Sequence, residues 1–565
     1  MKENTIIRNA RIYTSNEEAP WADTAVIEGD KFTYVGNENK APAEAKDFCS
    51  VDLGGRLVLP GFIDSHTHMA LSVMMDGDEN SFPIWDCRSK TEILRKLTEY
   101  VKKHPFRLYY VAFFGQVEAL ADEKLTKADL DQIVKYRPVV LLEKECHTAW
   151  LNSKAMKMLK IREDVKDMAP GYSYYERDAS GNLTGKITEM TMLPLLGMSG
   201  RISDKKLKTG ILKIEDYLLT RGVTTVYDAG CYFEEEKTYK LLAEMDRSGE
   251  LPIRYEATYI INTPEKADIA VKEFKRYKSL YETDNIKFKT IKIMFDGTHR
   301  AHTAKLVEPY HDTGGTGGTM VSEERLYRLM SELNREGIDL HAHTVGEGAS
   351  KMVLDCAERI IREQGELKIH VTLAHLETQR DEDIPRFREL GITANFTPHW
   401  HGGNDYGTAE QNAELLGTWR AEHLFRAKSM MDSGANVTFS SDEVTLQLLD
   451  RWNPFLGIET GHTRRELTKG GRNAAVFPPL SECLTIEDLI KGYTVNGARV
   501  LRLDDQIGSV EAGKSADFMV LNEDLFTMDP YRIHDIVPEA VFVRGKCVKY
   551  REGISFPGAV SCRVF

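Results

Sequence analysis

The sequence lacks the features of several specialised protein classes. Its eight cysteines are scattered over 565 residues without a C-x-x-C pair, which argues against a disulfide framework or a cysteine-rich zinc site. It has no run of about 18 apolar residues. Its first residues, MKENTIIRNARIYTSN, contain no apolar segment like that of a secretory signal. We therefore expect a cytoplasmic protein that does not span a membrane.

Positive charge is also scarce. The chain has 74 Lys and Arg residues against 87 Asp and Glu residues, which gives a formal net charge of −13. Nucleic-acid grooves and anionic membrane surfaces require clustered positive charge, so we expect neither as a partner. The hydrophobic share of 42% is that of an ordinary globular chain with a large core. This composition favours an enzyme with a small-molecule substrate and leaves a homodimer open.

The two ends of the chain are predicted to be rich in β-strands. TIIRNARIY and TAVIEGDKFTYVG near the start, and SADFMVL and EAVFVRGKCVKY near the end, combine β-branched and aromatic residues with glycine turns. A sheet of two or three strands is only marginally stable alone. We therefore predict that residues 1–58 and 504–565 form one composite β-sandwich.

Residues 59–503 follow a different pattern. Short apolar runs alternate with amphipathic helical stretches, and no G-x-G-x-x-G follows a run, which favours an α/β protein with a (β/α)8 TIM barrel over a doubly wound sheet. The gap of about 155 residues between the first two runs is too long for a βα connection and predicts an inserted subdomain at about 72–215. The runs are 57–68, 222–230, 253–260, 291–297, 338–346, 369–377, 391–400 and 436–443.

His66 and His68 lie at the end of the first run. Residues i and i+2 of a strand point to the same face, so both imidazoles could bind one metal ion, although an isolated H-x-H is more often two ordinary polar residues. Further candidates at the ends of later runs are His343, His375 and Asp442. In a barrel these ends share one mouth, so the set predicts a metal site. Spacing does not choose between His343 and His341.

Lys292 is predicted to point into the barrel. In KTIKIMFDG, Ile291 and Ile293 have the parity of the interface between barrel and helices, and Lys292 has the opposite parity. A buried lysine needs a partner or loses its charge. Reaction with CO2 would make a carbamate able to bridge two metal ions. An ion pair with Asp296 or Asp442 is the alternative, and the pattern does not decide.

Other side chains are candidates for a substrate pocket. His147 in the insertion and His399 at the end of the seventh run could hydrogen-bond a substrate or an oxyanion. His299 lies in the loop after the fourth run, and Trp150 and Trp400 could line an apolar wall. The alternative for each is ordinary core packing.

Several segments match motifs that occur together in one family. LVLPGFIDSHTHMA is similar to a first-strand metal motif, and IKIMFDGT, HTVGEGA, LAHLE and FSSDEV are similar to segments at later strands. CHTAWLNSKAM and the stretch from LTIEDLIKGY to ADFMVL match as well. On these segments the chain resembles the amidohydrolase superfamily and, within it, the YtcJ-like or amidohydrolase-3 branch, over nearly its whole length.

The resemblance implies a distorted (β/α)8 barrel with a composite β-sandwich and one or two divalent metal ions, usually zinc, at the barrel mouth. It prefers His343 to His341 and implies a CO2-derived carbamate on Lys292 when two ions bind. HTVGEGA departs from the branch at Glu347 and Gly348, so no relative's substrate is carried over. The implied metal ligands are His66, His68, Lys292, His343, His375 and Asp442.

We expect an amidohydrolase that cleaves a non-peptide C–N bond in an amide, N-formyl or cyclic amide compound. Metal-activated hydroxide would attack the carbonyl carbon, Asp442 would carry the proton to the leaving nitrogen, and His147 would help stabilise the oxyanion. One alternative is a mononuclear deaminase of a heterocycle, for which Glu347 is an imperfectly placed acid–base group. The other is a non-catalytic barrel, which the presence of all six candidate ligands argues against.

Overall fold

The structure is a computed structural model that describes residues 4–76, 81–115, 124–143, 146–199, 202–403 and 407–551, without the side chains of Phe114, Met198, Ser199 and Lys469. Its strands, in chain order, are β1 Thr5–Arg8, β2 Arg11–Tyr13, β3 Trp21–Ala22, β4 Thr24–Glu28, β5 Lys31–Gly36, β6 Cys49–Asp52, β7 Leu57–Pro60, β8 Phe62–Thr67, β9 Ser81–Pro83, β10 Tyr110–Gly115, β11 Val139–Glu143, β12 Thr148–Leu151, β13 Tyr175–Arg177, β14 Leu183–Thr188, β15 Val223–Asp228, β16 Arg254–Ile261, β17 Ile286–Ile293, β18 Asp339–Thr344, β19 Val371–His375, β20 Thr393–Phe396, β21 Val437–Phe439, β22 Phe518–Leu521, β23 Ala540–Val543 and β24 Lys546–Tyr550.

The α-helices within these ranges are α1 Met69–Asp76, α2 Lys90–Lys103, α3 Lys127–Ile133, α4 Ser153–Met158, α5 Leu193–Ser199, α6 Asp204–Thr220, α7 Glu235–Arg247, α8 Pro264–Tyr281, α9 Glu323–Glu336, α10 Glu347–Gln364, α11 Ile384–Glu389, α12 Ala409–Leu416, α13 Thr418–Ala421, α14 Ala427–Asp432, α15 Pro454–Thr463, α16 Ile486–Tyr493 and α17 Val495–Val500. Among the described helices, none combines the length and the apolar character that a bilayer-crossing segment requires.

Eight parallel strands form a nearly closed barrel in the order β8-β15-β16-β17-β18-β19-β20-β21. Hydrogen bonds join the two ends of this sheet: the backbone N–H of Asp442 donates to the carbonyl of His66 (2.9 Å), and Ser65 Oγ donates to the carbonyl of Phe439 (2.8 Å). The strands are followed by helices, as the alternating pattern predicts. The structure thus confirms the predicted (β/α)8 barrel.

Helix α9 shows how the outer layer is specified. Leu326, Met330 and Leu333 recur at helical spacing and are buried, so one face of the helix covers the barrel. Each fully buried side chain of this kind contributes about 2 kcal/mol relative to an exposed one. The helix ends where Gly337 adopts a left-handed conformation with φ of 67°, which glycine adopts without steric cost.

The first predicted run, residues 57–68, divides between two sheets. β7 belongs to the sandwich and β8 to the barrel, and Gly61 separates them. A Cβ atom at Gly61 would lie 2.4 Å from Thr224 Oγ1, so only glycine allows this close approach to β15. The chain therefore passes directly from one unit to the other.

The fourth predicted run, residues 291–297, is shifted relative to its strand. β17 begins at Ile286 and ends at Ile293, so residues 294–297 follow the strand. The first half of β17 alternates buried apolar residues with half-buried Lys287 and Lys289. An apolar run therefore indicates only the second half of the strand.

Two sheets build the sandwich, β5-β4-β1-β6 and β24-β23-β22-β7-β2-β3. The second sheet takes strands from both ends of the chain, and Phe518 of β22 lies opposite Pro60 of β7 in an antiparallel pair. Phe32 and Phe518 contact each other between the sheets, with ring centroids 5.8 Å apart. Residues 552–565 of the predicted sandwich lie outside the described part of the chain.

A third sheet, β13-β14-β12-β11-β10-β9, lies between barrel strands β8 and β15 in the chain. It occupies residues 81–188 and has its own apolar cores on its two faces. Cys146 and His147, just before β12, reach the barrel mouth and contribute to the site described next.

Candidate metal centre

A cavity of about 120 Å³ lies at the carboxyl ends of the barrel strands. His66 ends β8, His375 ends β19, and Asp442 follows β21, so the barrel brings residues distant in sequence to one place. All six predicted ligands line this cavity, namely His66, His68, Lys292, His343, His375 and Asp442.

The carboxylate of Asp442 lies at the centre of this cluster. Its Oδ1 atom is 3.2 Å from His66 Nε2 and 3.4 Å from His68 Nε2. Its Oδ2 atom is 3.6 Å from His375 Nδ1. One ligand atom each from His66, His375 and Asp442 lie within 4.8 Å of one another, a spacing at which one ion can bind all three.

The orientation of two imidazoles also fits a metal ion. His68 Nδ1 is 2.8 Å from the carbonyl oxygen of Gly230; an N–H there leaves Nε2 with a lone pair facing the cluster. His375 Nε2 is buried and has no hydrogen-bond partner among the described residues, which is unusual for a buried polar atom. His375 and Asp442 both have positive φ, at 81° and 47°, a conformation that non-glycine residues adopt rarely. The donor set of imidazoles and carboxylate suits a divalent metal.

Burial sets the protonation of the imidazoles. It lowers the pKa of His66 and His343 well below the usual range and the pKa of His375 to about 3. Burial alone would raise the pKa of Asp442, but His375, His68 and Lys292 lower it below its ordinary value. Neutral imidazoles beside an ionised carboxylate are the forms that bind metal ions.

Lys292 points into the barrel, as its parity predicts. Its side chain is fully buried, and Nζ lies 3.3 Å from His66 Nε2. Burial lowers the pKa of Lys292 to about 7. Within the described residues, no ion pair joins Lys292 to Asp296 or Asp442. Asp296 accepts hydrogen bonds from the backbone N–H groups of Val345 and Gly346, and the carboxylate of Asp442 contacts the imidazoles instead.

His343 and His341 occupy different positions relative to the cavity. His343 lines the cavity, and its Nδ1 is 3.2 Å from Asp296 Oδ1. His341 lies deeper, pairs across β17–β18 with Lys292 and stacks on Tyr227, with ring centroids 4.9 Å apart. Its Nε2 is 3.1 Å from His66 Nδ1. His341 thus lies behind the cluster, outside the cavity lining.

His147 comes to the cavity from the inserted sheet. Its ring centroid is 5.5 Å from that of His343. Its Nδ1 atom is 2.6 Å from Glu189 Oε2, and Glu189 is a buried residue that sequence patterns do not indicate. Tyr232 and Arg451 also line the cavity without having been predicted. Their positions depend on loops whose conformation no periodicity predicts.

Only some of the remaining predicted substrate contacts line the cavity. Trp400 lines the cavity and stacks on His375, with ring centroids 5.7 Å apart. His399 packs edge-on against Trp400 and is not among the lining residues. His299 is buried between Tyr310 and the cavity-lining Glu377 and is not itself among the lining residues. Trp150 lies in the apolar core of the inserted sheet, so the core-packing alternative describes it.

Glu347, the candidate acid–base group of a deaminase, begins α10 but faces away from the cavity. Arg420 Nη2 donates to its Oε1 atom (2.8 Å), and Thr378 Oγ1 donates to its Oε2 atom (2.7 Å). The backbone N–H of Val307 donates to Oε1 as well. These partners hold both carboxylate oxygens in a buried ion pair.

Proteins of known sequence and structure share this architecture. N-substituted formamide deformylase of Arthrobacter pascens is 25% identical over 545 residues, which cover 92% of this chain and 93% of that protein. The crystal structure of an uncharacterized metal-dependent hydrolase from Pyrococcus horikoshii OT3 has a TM-score of 0.68 at 23% identity, covering 93% of this chain and 99% of that chain. The latter likeness shows the fold.

The family assignment rests on a longer match. YtcJ of Bacillus subtilis (strain 168) is 25% identical over 547 residues, which cover 95% of this chain and 98% of that protein. The sequence pattern of the amidohydrolase family matches residues 50–549. The chain therefore belongs to the amidohydrolase family of metal-dependent hydrolases, in its YtcJ-like branch.

Proposed function

We propose that the protein hydrolyses a C–N bond other than a peptide bond, in an amide, N-formyl or cyclic amide compound. The observation that carries this proposal is the buried cluster of imidazoles around Asp442 at the wall of a cavity. The relative named N-substituted formamide deformylase supports this class of substrate. The cavity volume of about 120 Å³ suits a small molecule.

The proposed metal is zinc, because imidazole nitrogen and carboxylate oxygen are common zinc ligands. When bound here, a divalent metal would activate water for attack at neutral pH and would polarise a carbonyl group. The residues proposed to hold one or two ions are His66, His68, His343, His375, Asp442 and, as a carbamate, Lys292.

The chain's own residues account for the proton movements. Asp442 is ionised, since its pKa is lowered, and can take a proton from the attacking water. It then delivers this proton to the leaving nitrogen, so that the amine departs neutral. His147, from the insertion, lines the same cavity as this carboxylate and is proposed to donate a hydrogen bond to the oxyanion.

The position of Glu347 argues against the one residue that the sequence offers as the acid–base group of a deaminase. A deaminase on this scaffold needs an acid–base carboxylate next to the reacting carbon, and the candidate from the sequence was Glu347. Both of its oxygens are held by Arg420, Thr378 and the backbone of Val307, outside the cavity lining. A carboxylate held this way is a structural ion pair.

The substitution Glu347→Gln therefore distinguishes a structural role of Glu347 from an acid–base role in deamination. We expect kcat to fall less than about 10-fold, because the group does not meet the substrate, and thermal stability to fall measurably, because Arg420 loses its charge partner. A catalytic acid–base role would instead cost about 10²- to 10⁴-fold in kcat. Steady-state kinetics and thermal unfolding of the same preparation measure both effects, and a loss of the larger size at unchanged stability would favour deamination.

The proposed function is tested with purified protein loaded with zinc. N-formyl, N-acyl and lactam compounds are incubated with it, alongside a panel of heterocyclic amines, and the released amine, acid or ammonia is quantified. We expect turnover in at least one amide class, its loss on treatment with a chelator, and its return on adding zinc. Release of ammonia from the heterocyclic amines alone, or no turnover by fully loaded protein, would contradict the proposal.

A further inference from the structure

We propose that Glu189 is a positioning residue for His147, through which the inserted sheet supplies a fixed hydrogen-bond donor to the reaction. The inference rests on the proposed function for its catalytic consequence. Its structural content is a pair of residues next to β12 and β14: His147, which precedes β12 and lines the cavity, and Glu189, which follows β14 and is fully buried.

Strand pairing places the two residues opposite each other. β12 and β14 are antiparallel, and Thr148 lies opposite Thr188. His147 and Glu189 are the next residues beyond this pair, and the backbone N–H of Glu189 donates to the carbonyl of His147 (2.8 Å). The side chains meet as well, with Glu189 Oε2 2.6 Å from His147 Nδ1.

The second carboxylate oxygen is held by the barrel. Thr303 Oγ1, in the long loop after β17, donates to Glu189 Oε1 (2.5 Å) and accepts from the backbone N–H of Thr298 (3.0 Å). A Cβ atom at Gly297 would lie 2.1 Å from both Glu189 Oε1 and Thr303 Oγ1. The carboxylate therefore fits against the barrel loop with no room for movement on that side.

The backbone of Glu189 shows that this placement has a cost. Its φ is 50°, a left-handed conformation that is unfavourable for a non-glycine residue and persists where the surroundings determine it. The side chain is fully buried, and a buried carboxylate requires partners for both oxygens. His147 and Thr303 supply them.

The arrangement determines which atom of His147 meets the substrate. Nε2 is the other ring nitrogen of His147, whose side chain lines the cavity. An oxyanion needs an N–H donor. If Nε2 donates to it while Nδ1 donates to Glu189, the ring carries two protons, and the carboxylate of Glu189 lies where it balances that charge. No proton is transferred in this step. The donor is fixed before the substrate binds, which is what makes such a contact effective.

Kinetics of a double-mutant cycle test the inference. We expect Glu189→Gln to lower kcat about 10- to 100-fold with little change in KM, and His147→Gln to lower kcat about 100-fold. Because Glu189 acts through His147, adding Glu189→Gln to His147→Gln should cost less than about 2-fold more. Glu176→Gln is the matched control: Glu176 is on β13 of the same sheet, accepts a hydrogen bond from Thr184 Oγ1 (2.7 Å) and is not among the cavity-lining residues, so it should change kcat less than about 2-fold.

A purely structural role predicts a different result. If Glu189 only joins the inserted sheet to the barrel, Glu189→Gln lowers kcat equally in both backgrounds, or lowers zinc content and thermal stability together with kcat. An unchanged kcat in Glu189→Gln would also overturn the inference. Zinc content and the unfolding temperature are therefore measured for every variant.

A proton NMR measurement does not depend on any substrate. A proton in a hydrogen bond between imidazole and a buried carboxylate gives a far-downfield signal. We expect this signal in zinc-loaded wild-type protein, its loss in His147→Gln, and an upfield shift in Glu189→Gln, because an amide oxygen is the weaker acceptor. If no variant moves a downfield signal, the pairing is wrong. If the signals behave as expected while no C–N compound is hydrolysed, the positioning stands and the proposed function fails.

Discussion

Asp442→Asn is expected to lower kcat by at least about 10³-fold, because an amide cannot accept the proton of the attacking water or return it to the leaving nitrogen. The substitution keeps the size of the side chain and one oxygen that can bind a metal. The fold should persist, since the hydrogen bond that joins the barrel ends at this position uses the backbone N–H of Asp442. Kinetics with the best substrate of the panel, together with zinc content, measure the effect.

Glu443→Gln is the matched control for this prediction. Glu443 is the next residue, lines the same cavity and is buried. Its Oε1 atom accepts hydrogen bonds from the backbone N–H groups of Val444 and Thr445, so it is held by its own loop. We expect a decrease in kcat of less than about 10-fold. Turnover near the wild-type rate by zinc-loaded Asp442→Asn would show that another group moves the proton.

Sequence patterns alone account for the residues that gather around Asp442. Strand parity and the common direction of barrel strands determine that His66, His68, His375 and Asp442 lie at one mouth. Neither property depends on the details of side-chain packing. The same two properties place Lys292 inside the barrel.

Spacing could not separate His341 from His343, because both have the parity that points inward. The two histidines differ in depth. His341 lies beside Lys292 in the strand pair, and His343 is two residues nearer the barrel mouth on β18. The register of β17 and β18 determines this depth. A single sequence does not show which residues of two strands lie side by side, so the choice came from a family resemblance.

The insertion shows the limits of sequence patterns most clearly. Trp150 and His147 are three residues apart, yet one lies in the core of the inserted sheet and the other lines the cavity. Strand pairing brings Glu189 to His147, which is 42 residues away in the sequence. Glu189 also contacts Thr303, which is 114 residues away in the sequence. Its sequence neighbourhood, GKITEMTM, resembles an ordinary edge of a strand. Contacts of this range leave no periodic pattern.

The second large expected effect on kcat comes from replacing Lys292. Its Nζ atom lies beside His66 Nε2, and no carboxylate of the described residues is within salt-bridge distance, so the charge of a lysine cation there is balanced only from farther away, by Asp442. Conversion to a carbamate, in which the amine nitrogen bonds to the carbon of CO2 and releases a proton, gives an anionic oxygen ligand. We therefore propose that Lys292 is carboxylated when two metal ions are bound.

Lys292→Met is expected to lower kcat by at least about 10²-fold and to lower the zinc bound per chain, because methionine fills the space without supplying a charged ligand. Lys289→Met is the matched control. Lys289 is on the same strand, half-buried, with Nζ donating to the carbonyl of Leu501, and we expect its zinc content and kcat to stay near wild type. Metal analysis and steady-state kinetics compare the three proteins.

The carbamate itself is detectable apart from activity. Native mass spectrometry of the zinc-loaded protein should show the mass of one added CO2 in wild type and in Lys289→Met, and none in Lys292→Met. Zinc uptake by metal-free wild type should rise when bicarbonate is supplied, whereas uptake by Lys292→Met should not respond, because methionine has no amine to carboxylate. Equal zinc uptake by all three proteins with no adduct in any of them would instead make Lys292 an unmodified neutral amine. The remaining ligands would then support one metal ion, and the case for two ions would fail while Asp442 kept its place in the cluster.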